Sequence, residues 1–226
     1  MNRVRWLNAQ WPSSIRSVGK RLIDMPFTEE RMDGFAIERI RDDFIEGRYI
    51  EKYSYQEVIS TPFGSEEVLD RIGYRTTEFT LFDSPPHIEL RNYQRSLKEL
   101  ISRLLEACSF NLVVTPPSVN LIEWVSALQD AVDQVVTVDS LQVSGVEIDE
   151  GVTGKILLKG VKDVRDATDI LLAGRKHVLE KVQVKFTDLN KTVAIQLSNK
   201  GTAKLPAVLP SDLLRHLRTS FPHNIN

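Results

Sequence analysis

The stretch that decides the fold is HVLEKVQVKFTDLNKTVAIQLS, residues 177–198. Apolar and polar residues alternate on both sides of the segment Thr187-Asp188-Leu189-Asn190, which is rich in turn-forming residues. The pattern predicts two antiparallel strands, His177–Phe186 and Thr192–Ser198, joined as a hairpin. It is the strongest hairpin signal in the chain, and the remaining elements are assigned outward from it.

The first of these strands separates an apolar face from a basic one. Val182 and Val184 point one way, whereas Lys181 and Lys185 point the other. Positions two apart on a strand are about 7 Å apart, close to the spacing of successive phosphates, and Lys181, Gln183 and Lys185 occupy three such positions. The strand therefore suits a polyanion, and the alternative is a solvated sheet face whose lysines only maintain solubility. Further basic residues lie on the preceding strand and around the helix between the two: Lys155, Lys159, Lys162, Arg165, Arg175 and Lys176.

Elsewhere the pattern mixes helices with short strands. Strands are predicted at 48–60, 74–82, 87–90, 110–114, 135–146 and 155–161, and helices at 14–23, 28–45, 95–108, 120–132, 163–173 and 211–220, with Asp163 and Ser211 as caps. The residues around Trp6 are predicted to be irregular. Hairpins and separated helices favour an α+β fold with mixed or antiparallel sheets and packed helices. The chain divides as a basic, helical N-terminal segment with one strand (1–70) and an α+β domain (71–226), or forms one continuous domain.

Composition narrows the function classes. Hydrophobic residues make up 42% of the 226 and charged residues 27%, which is typical of a globular protein. The single cysteine excludes an intrachain disulfide framework and a multi-cysteine zinc site. With no apolar run of about 20 residues and no apolar segment behind the N-terminal basic residues, we expect a cytoplasmic protein without a membrane span or secretory signal.

Charge is distributed unevenly along the chain. The net charge is −2, but residues 1–23 carry +5, residues 24–150 carry −14 and residues 151–204 carry +6. Such bipolarity is typical of a protein that meets a charged partner. The basic part suits a polyanion, whereas the acidic part suits a basic protein.

Signatures of catalysis are absent from the sequence. It contains no phosphate-binding glycine loop, no nucleophile elbow and no His-Glu-x-x-His helix, and its four histidines lack metal-ligand spacing. Cys108 ends the apolar face of a predicted helix and is interpreted as a packing residue. The minor alternative is a metal-dependent nuclease, because two clusters of acidic residues could bind a metal ion. They are Asp42, Asp43 and Glu46 on a predicted helix, and Glu147, Asp149 and Glu150 on a predicted loop. We expect no enzyme activity, no cofactor and no metal.

Two segments carry a family resemblance. VNLIEWV (119–125) is similar to a Leu-Thr-Glu-Trp-Val type motif, and KILLKGVKDVRDATDILLAGRKHVLEKVQVKFTDLNKTVAIQLSNKGTAKL (155–205) is similar to a run of basic strand, short helix and hairpin. Both occur in the bacterial recombination-associated RdgC family, whose order of features the chain resembles from about Tyr74 to Leu205. The first 70 residues have no counterpart in that family.

The resemblance implies a function as well as a fold. RdgC proteins bind double-stranded DNA without sequence preference as ring-shaped dimers and modulate recombination. For this chain it implies a homodimer that contacts the DNA phosphate backbone in recombination or in antiviral defence, associated with the nucleoid, with or without a protein partner. The implied DNA-binding residues are Lys155, Lys159, Lys162, Arg165, Arg175, Lys176, Lys181 and Lys185. The alternative is a protein–protein adaptor or inhibitor that uses the acidic residues 24–150 and binds no nucleic acid.

Overall fold

The computed structural model describes residues 2–64, 66–188, 191–208 and 212–222, and its architecture is α+β with antiparallel strand pairing. The predicted fold class is confirmed at this level. The chain forms two compact units. We name them the split unit (residues 1–8 and 115–226) and the continuous unit (residues 9–114).

The split unit contains a six-stranded antiparallel arrangement and three helices among its described residues. Its elements are β1 (Asn2–Gln10, the last two residues of which belong to the continuous unit), α3 (Leu121–Val132), β7 (Thr137–Asp149), β8 (Val152–Lys159), α4 (Arg165–Leu172), β9 (Val178–Asp188), β10 (Lys191–Ser198), β11 (Thr202–Leu205) and α5 (Leu213–Thr219). The strand order is β1-β11-β10-β9-β7-β8. The predicted central hairpin is therefore confirmed as β9–β10, whereas its turn residues 189 and 190 lie outside the described residues.

Helices cover one face of this sheet. Trp124 of α3 is fully buried, packs edge-on against Trp6 with ring centroids 5.5 Å apart, and donates its indole N–H to the Leu217 carbonyl of α5 at 3.1 Å. Val182 and Val184 of β9 belong to the same core. The alternation predicted for β9 is thus confirmed: one face of the strand is in the core, and the other is available for function.

The continuous unit contains a second antiparallel arrangement. Its elements are α1 (Ile15–Ile23), β2 (Asp33–Ile40), β3 (Phe44–Ser60), β4 (Glu66–Phe82), β5 (Ile88–Arg91) and α2 (Lys98–Ala107), with the order β2-β3-β4-β5; β6 (Val113–Thr115) begins in this unit and ends in the split unit. β3 and β4 pair over their full length, from Phe44↔Phe82 to Ser60↔Glu66. The domain boundary predicted between residues 70 and 71 falls inside β4, where Asp70 and Arg71 pair with Gln56 and Tyr55 of β3.

The helix predicted at 28–45 is wrong, because this segment forms β2 and the start of β3. Phe35 pairs with Tyr49 and Ile40 with Ile45 across a tight turn that Arg41 closes by donating its backbone N–H to the Phe44 carbonyl at 2.8 Å. A bulge after Ile37 breaks the two-residue alternation. The bulge and turn together space the apolar residues as a helix would, so the sequence periodicity favoured the wrong element.

The irregular segment predicted around Trp6 is also wrong, since it forms β1. β1 pairs with β11 in the register Arg3↔Lys204, Val4↔Ala203 and Arg5↔Thr202. The remaining predicted elements are present with shifted ends. The cap of α4 is Val164 and not Asp163, and Ser211 lies outside the described residues.

None of the described helices combines the length and the apolar character that a membrane crossing requires.

Candidate nucleic-acid interface

The face of the split-unit sheet opposite the core is basic. We call it the basic face and define it by seven outward cations on four strands: Arg3, Arg5, Lys155, Lys159, Lys181, Lys185 and Lys204. Their strand neighbours on the other side, such as Val4 and Ala203, are buried in the core. The six strands from β8 to β1 span about 24 Å at the usual strand spacing.

Strand register orders the basic face into two cross-strand rows. The first row runs Lys181–Ser198–Thr202–Arg5 over four adjacent strands. The second row, two residues along each strand, runs Lys159–Ser140–Gln183–Gln196–Lys204–Arg3 over six strands. Residues two apart on one strand are about 7 Å apart, so the rows place cations at the scale of a phosphate backbone.

Four of the eight predicted residues lie on this face. Lys155 and Lys159 lie four residues apart on the same side of β8, and Lys181 and Lys185 lie four residues apart on the same side of β9. Two of the four are already paired: Lys155 Nζ lies 2.6 Å from Glu180, and Lys185 Nζ lies 2.7 Å from Asp139. Lys159 and Lys181 make no ion pair with any described residue.

Glu180 is held ionised by its neighbours. It accepts hydrogen bonds from Lys155, Ser144 and Gln142, and these lower the pKa of its carboxyl to about 2. Because the carboxylate persists at neutral pH, it neutralises Lys155 and engages Gln142 at the same time. One edge of the basic face therefore carries less free charge than its lysine count indicates.

Asp139 has the same effect at Lys185. Its residue is 8% exposed, and its Oδ2 accepts from both Lys185 Nζ at 2.7 Å and Gln183 Nε2 at 3.1 Å. Its Oδ1 is buried and accepts no hydrogen bond from any residue that the structure describes. An unsatisfied buried oxygen of this kind costs about 1–3 kcal/mol. The ion pair with Lys185 is therefore the main interaction that compensates for the burial of the Asp139 carboxylate.

Three cations of the basic face were missed by the sequence reasoning: Arg3, Arg5 and Lys204. Arg3 and Arg5 flank Val4 in a strict alternation, NRVRW at 2–6, that is typical of a strand. The segment was too short and too near the terminus to be assigned without its partner strand. The pairing Arg3↔Lys204 places two of these cations on directly opposed positions.

The other four predicted residues are not grouped with this face. Lys162, Arg165, Arg175 and Lys176 belong to α4 and its flanking loops, and α4 packs into the core through buried Val164 and Leu172. None of these four cations lies on a strand of the basic face. Arg165 is also paired, at 2.8 Å from Asp163.

The Asp163–Arg165 pair is structural. Burial raises the pKa of Asp163, but hydrogen bonds from Arg165 and from the backbone of Val138 outweigh it, so the pKa is lowered overall. Asp163 Oδ2 accepts from the Val138 N–H at 3.1 Å, and its Oδ1 accepts from the Arg165 N–H at 3.0 Å. The carboxylate therefore fastens the start of α4 to β7.

The basic face offers unpaired cations, no outward aromatic ring among its described strands, and few unengaged amide groups. Within the described strands, none of its outward side chains is aromatic, whereas single-strand binders stack bases on aromatic rings. Gln142 and Gln183 are already hydrogen-bonded to Glu180 and Asp139. Five cations make no ion pair with any described residue: Arg3, Arg5, Lys159, Lys181 and Lys204.

The structure does not assemble the alternative catalytic groups. Among the described residues, no group of three or more His, Cys, Asp or Glu side chains is arranged to hold a metal ion. Asp42 pairs with Arg16 at 2.9 Å and Glu46 with Arg39 at 3.5 Å, in a turn and a strand and not on the predicted helix. Cys108 is 1% exposed, and burial raises the pKa of its thiol, so it is protonated at neutral pH.

No protein-family model matches the sequence. No curated protein matches it either.

Proposed function

We propose that this chain is a non-catalytic protein that binds double-stranded DNA without sequence preference, as a homodimer, in recombination or in defence against foreign DNA. The observation that carries the proposal is the basic face, on which seven cations meet two carboxylates, Asp139 and Glu180. Its free cations have no internal partner among the described residues. A polyanion supplies the missing counter-charge.

The size of the basic face fits a duplex. Double-stranded DNA carries one charge per about 1.7 Å of axis, so about 24 Å of duplex presents roughly 14 phosphates, of which only one side meets a flat surface. The basic face carries five unpaired cations and two that are already paired with carboxylates. This total is close to the number of phosphates that one side of such a duplex presents. The lack of outward aromatic rings favours a duplex over a single strand.

The contacts on the face also favour sequence independence. Reading bases needs side chains that enter a groove and offer amide or guanidinium edges to the bases. Of the three glutamines on the face, Gln142 and Gln183 are engaged with carboxylates. Lysine-to-phosphate contacts position a protein on DNA but do not discriminate between sequences.

The test is a titration of fluorescent duplexes with the whole protein at several salt concentrations. Two duplexes of unrelated sequence should bind equally, and the logarithm of affinity should fall against the logarithm of salt with a slope of roughly −5 for about six phosphates. Added magnesium should cause no cleavage, and the mass in solution should be that of a dimer. A slope near zero, or preference for one sequence, would contradict the proposal.

A second candidate, the protein–protein adaptor, is favoured by the far half of the β3–β4 hairpin. Apolar side chains there are exposed, including Phe63 at 96%, Ile72 at 59% and Val58 at 55%. Glu66 and Glu67 lie beside them without an ion pair to a described residue, so the hairpin end is both apolar and acidic. A basic, partly apolar protein surface suits it.

The two candidates differ in one measurement. An adaptor working only through this hairpin binds no duplex even at low salt, whereas the basic face binds duplex whether or not Phe63 and Ile72 are replaced by serine. Duplex binding by the Phe63→Ser/Ile72→Ser variant therefore supports the DNA-binding proposal, and its complete absence in the wild type supports the adaptor.

A further inference from the structure

One part of the basic face is concave. A cleft of about 670 Å³ opens over the first cross-strand row and the turn between β10 and β11. It is lined by the cations Arg5, Lys155, Lys181, Lys200 and Lys204, by one carboxylate, Glu180, and by the polar residues Gln196, Ser198, Asn199 and Thr202, beside Val178 and Leu197. Because Lys155 already neutralises Glu180, the remaining four cations dominate the cleft.

The register puts neutral donors between charged ones. Ser198 and Thr202 sit between Lys181 and Arg5 in the row, and their hydroxyl oxygens are 2.7 Å apart. Only one of the two hydroxyl protons is used in that bond, whichever oxygen donates. The other proton is free to donate to a ligand between the two cations.

Arg5 is short of an acceptor. Its Nε is buried and finds no hydrogen-bond partner among the described residues, although the residue as a whole is only partly covered. A guanidinium uses its fork of N–H groups to bind oxyanions in a bidentate manner. Because the Nε is covered while Arg5 lines the cleft, an oxyanion in the cleft meets the terminal N–H groups of the guanidinium.

We propose that this cleft is an oxyanion seat that holds a single phosphate group. The guanidinium of Arg5 and the ammonium groups of Lys181 and Lys204 supply charge, and the hydroxyl pair of Ser198 and Thr202 supplies a directed neutral hydrogen bond. The proposal deepens the proposed function, because there the phosphate is one phosphodiester of the DNA backbone. The other source of the same chemistry is free phosphate.

A phosphate suits the seat better than a carboxylate. Its oxygens are arranged tetrahedrally and accept donors from several directions, whereas a carboxylate accepts in one plane. Arg5 and Lys181 lie three strand spacings apart, about 14 Å between backbones, so their long side chains approach a central ligand from opposite sides. The seat would fix one point of an otherwise diffuse contact.

The first experiment titrates inorganic phosphate into the full chain at constant ionic strength and follows arginine Nε–H signals by nuclear magnetic resonance. The signal that disappears in Arg5→Lys identifies Arg5, and it should shift and saturate in wild type. Thr202→Val should weaken phosphate binding about 5-fold, and Arg5→Lys about 10-fold when followed by other cleft signals. Matched controls are Thr192→Val on β10 and Arg175→Lys beside α4, both expected to leave affinity unchanged.

A second arm repeats the duplex titration with the same variants. Phosphate binding without duplex binding would support the seat, overturn the DNA-binding proposal and identify free phosphate as the source. Duplex binding with the expected salt slope, but no Arg5 shift and no effect of Thr202→Val in either arm, would overturn the seat and leave the DNA-binding proposal intact. A comparable shift with matched sodium chloride in place of phosphate would also overturn the seat.

Discussion

Both units of this chain place charged side chains on antiparallel strands, but they treat the charges differently. In the continuous unit most strand arginines pair with acids on neighbouring strands: Arg48 lies 2.8 Å from Glu38, and Arg71 lies 2.9 Å from Glu57, whereas Arg75 makes no ion pair with a described residue. In the split unit Arg3, Lys181 and Lys204 have no ion pair with a described residue. Most strand arginines of the continuous unit therefore have an internal counter-charge, whereas five of the seven cations on the basic face have none among the described residues.

The difference does not follow from net charge. The continuous unit carries 14 basic and 18 acidic residues, and the split unit carries 15 and 13, so each is close to neutral. What differs is where the acids lie relative to the strands. A partner is indicated by cations that lack a counter-charge nearby, and the average charge of a unit conceals them.

The largest effect on duplex affinity is expected from charge reversal on the basic face. Lys181→Glu/Lys204→Glu removes two phosphate contacts and adds two repulsive charges to the basic face. We expect duplex affinity to fall on the order of 100-fold and the salt slope to lose roughly 2 units. Fluorescence anisotropy at two salt concentrations measures both.

The matched control reverses two paired arginines, Arg48→Glu/Arg71→Glu. It makes the same change in net charge but leaves the basic face intact, so duplex affinity should stay within a few-fold of wild type. Equal losses in the two double variants would show that bulk charge, and not the basic face, determines binding. Circular dichroism melts verify that both variants fold.

The opposite change should strengthen binding. Asp139→Asn and Glu180→Gln remove the carboxylates that occupy Lys185 and Lys155, while an amide oxygen can still accept from the glutamine at each site. Each freed ammonium group should raise duplex affinity several-fold and steepen the salt slope by about 1. Unchanged affinity in both variants would mean that this edge of the face does not contact DNA.

The sequence predicted the part of the basic face whose strands are adjacent in the chain. Lys181 and Lys185 alternate with valines in a hairpin with an evident turn, so their common face follows from local spacing alone. Arg3 and Arg5 join the face only because β1 pairs with β11, about 200 residues away in the sequence. No local pattern contains that register.

The same limit applies to the other predicted cations. Lys162 and Arg175 were included because they bracket the helix between the two basic strands, and they lie in the loops that flank α4 and not on the strands of the basic face. The neutralisation of Lys185 by Asp139 also depends on β7–β9 pairing. The sequence shows which residues are charged, but the pairing of distant strands determines which of these charges have no ion pair.

A smaller effect is expected from an ion pair of the continuous unit. Asp33 has a side chain 16% exposed and lies 2.8 Å from Arg103, so Asp33→Asn should lower the free energy of unfolding by about 1 kcal/mol after allowance for the partly exposed arginine. Asp42→Asn is the control, because its pair with Arg16 is 85% and 63% exposed and should contribute almost nothing. Urea denaturation measures both, and duplex affinity should not change in either. A larger loss of unfolding free energy in Asp42→Asn than in Asp33→Asn would contradict this prediction.

The smallest effect is a pH dependence on the basic face itself. The pKa of Glu180 is lowered from 4.5 to about 2 by Lys155, Ser144 and Gln142. The folded state therefore binds this proton less readily than the unfolded state, and the stabilisation is complete above pH 4.5 and is lost as pH falls towards 2. The Tm difference between wild type and Glu180→Gln should shrink over that window by a few degrees at most, and Lys155→Gln should flatten the same window because it removes the largest cause of the shift. A difference that is constant from neutral pH down to pH 2 would mean that Glu180 is not paired in solution, and Lys155 would then count among the free cations.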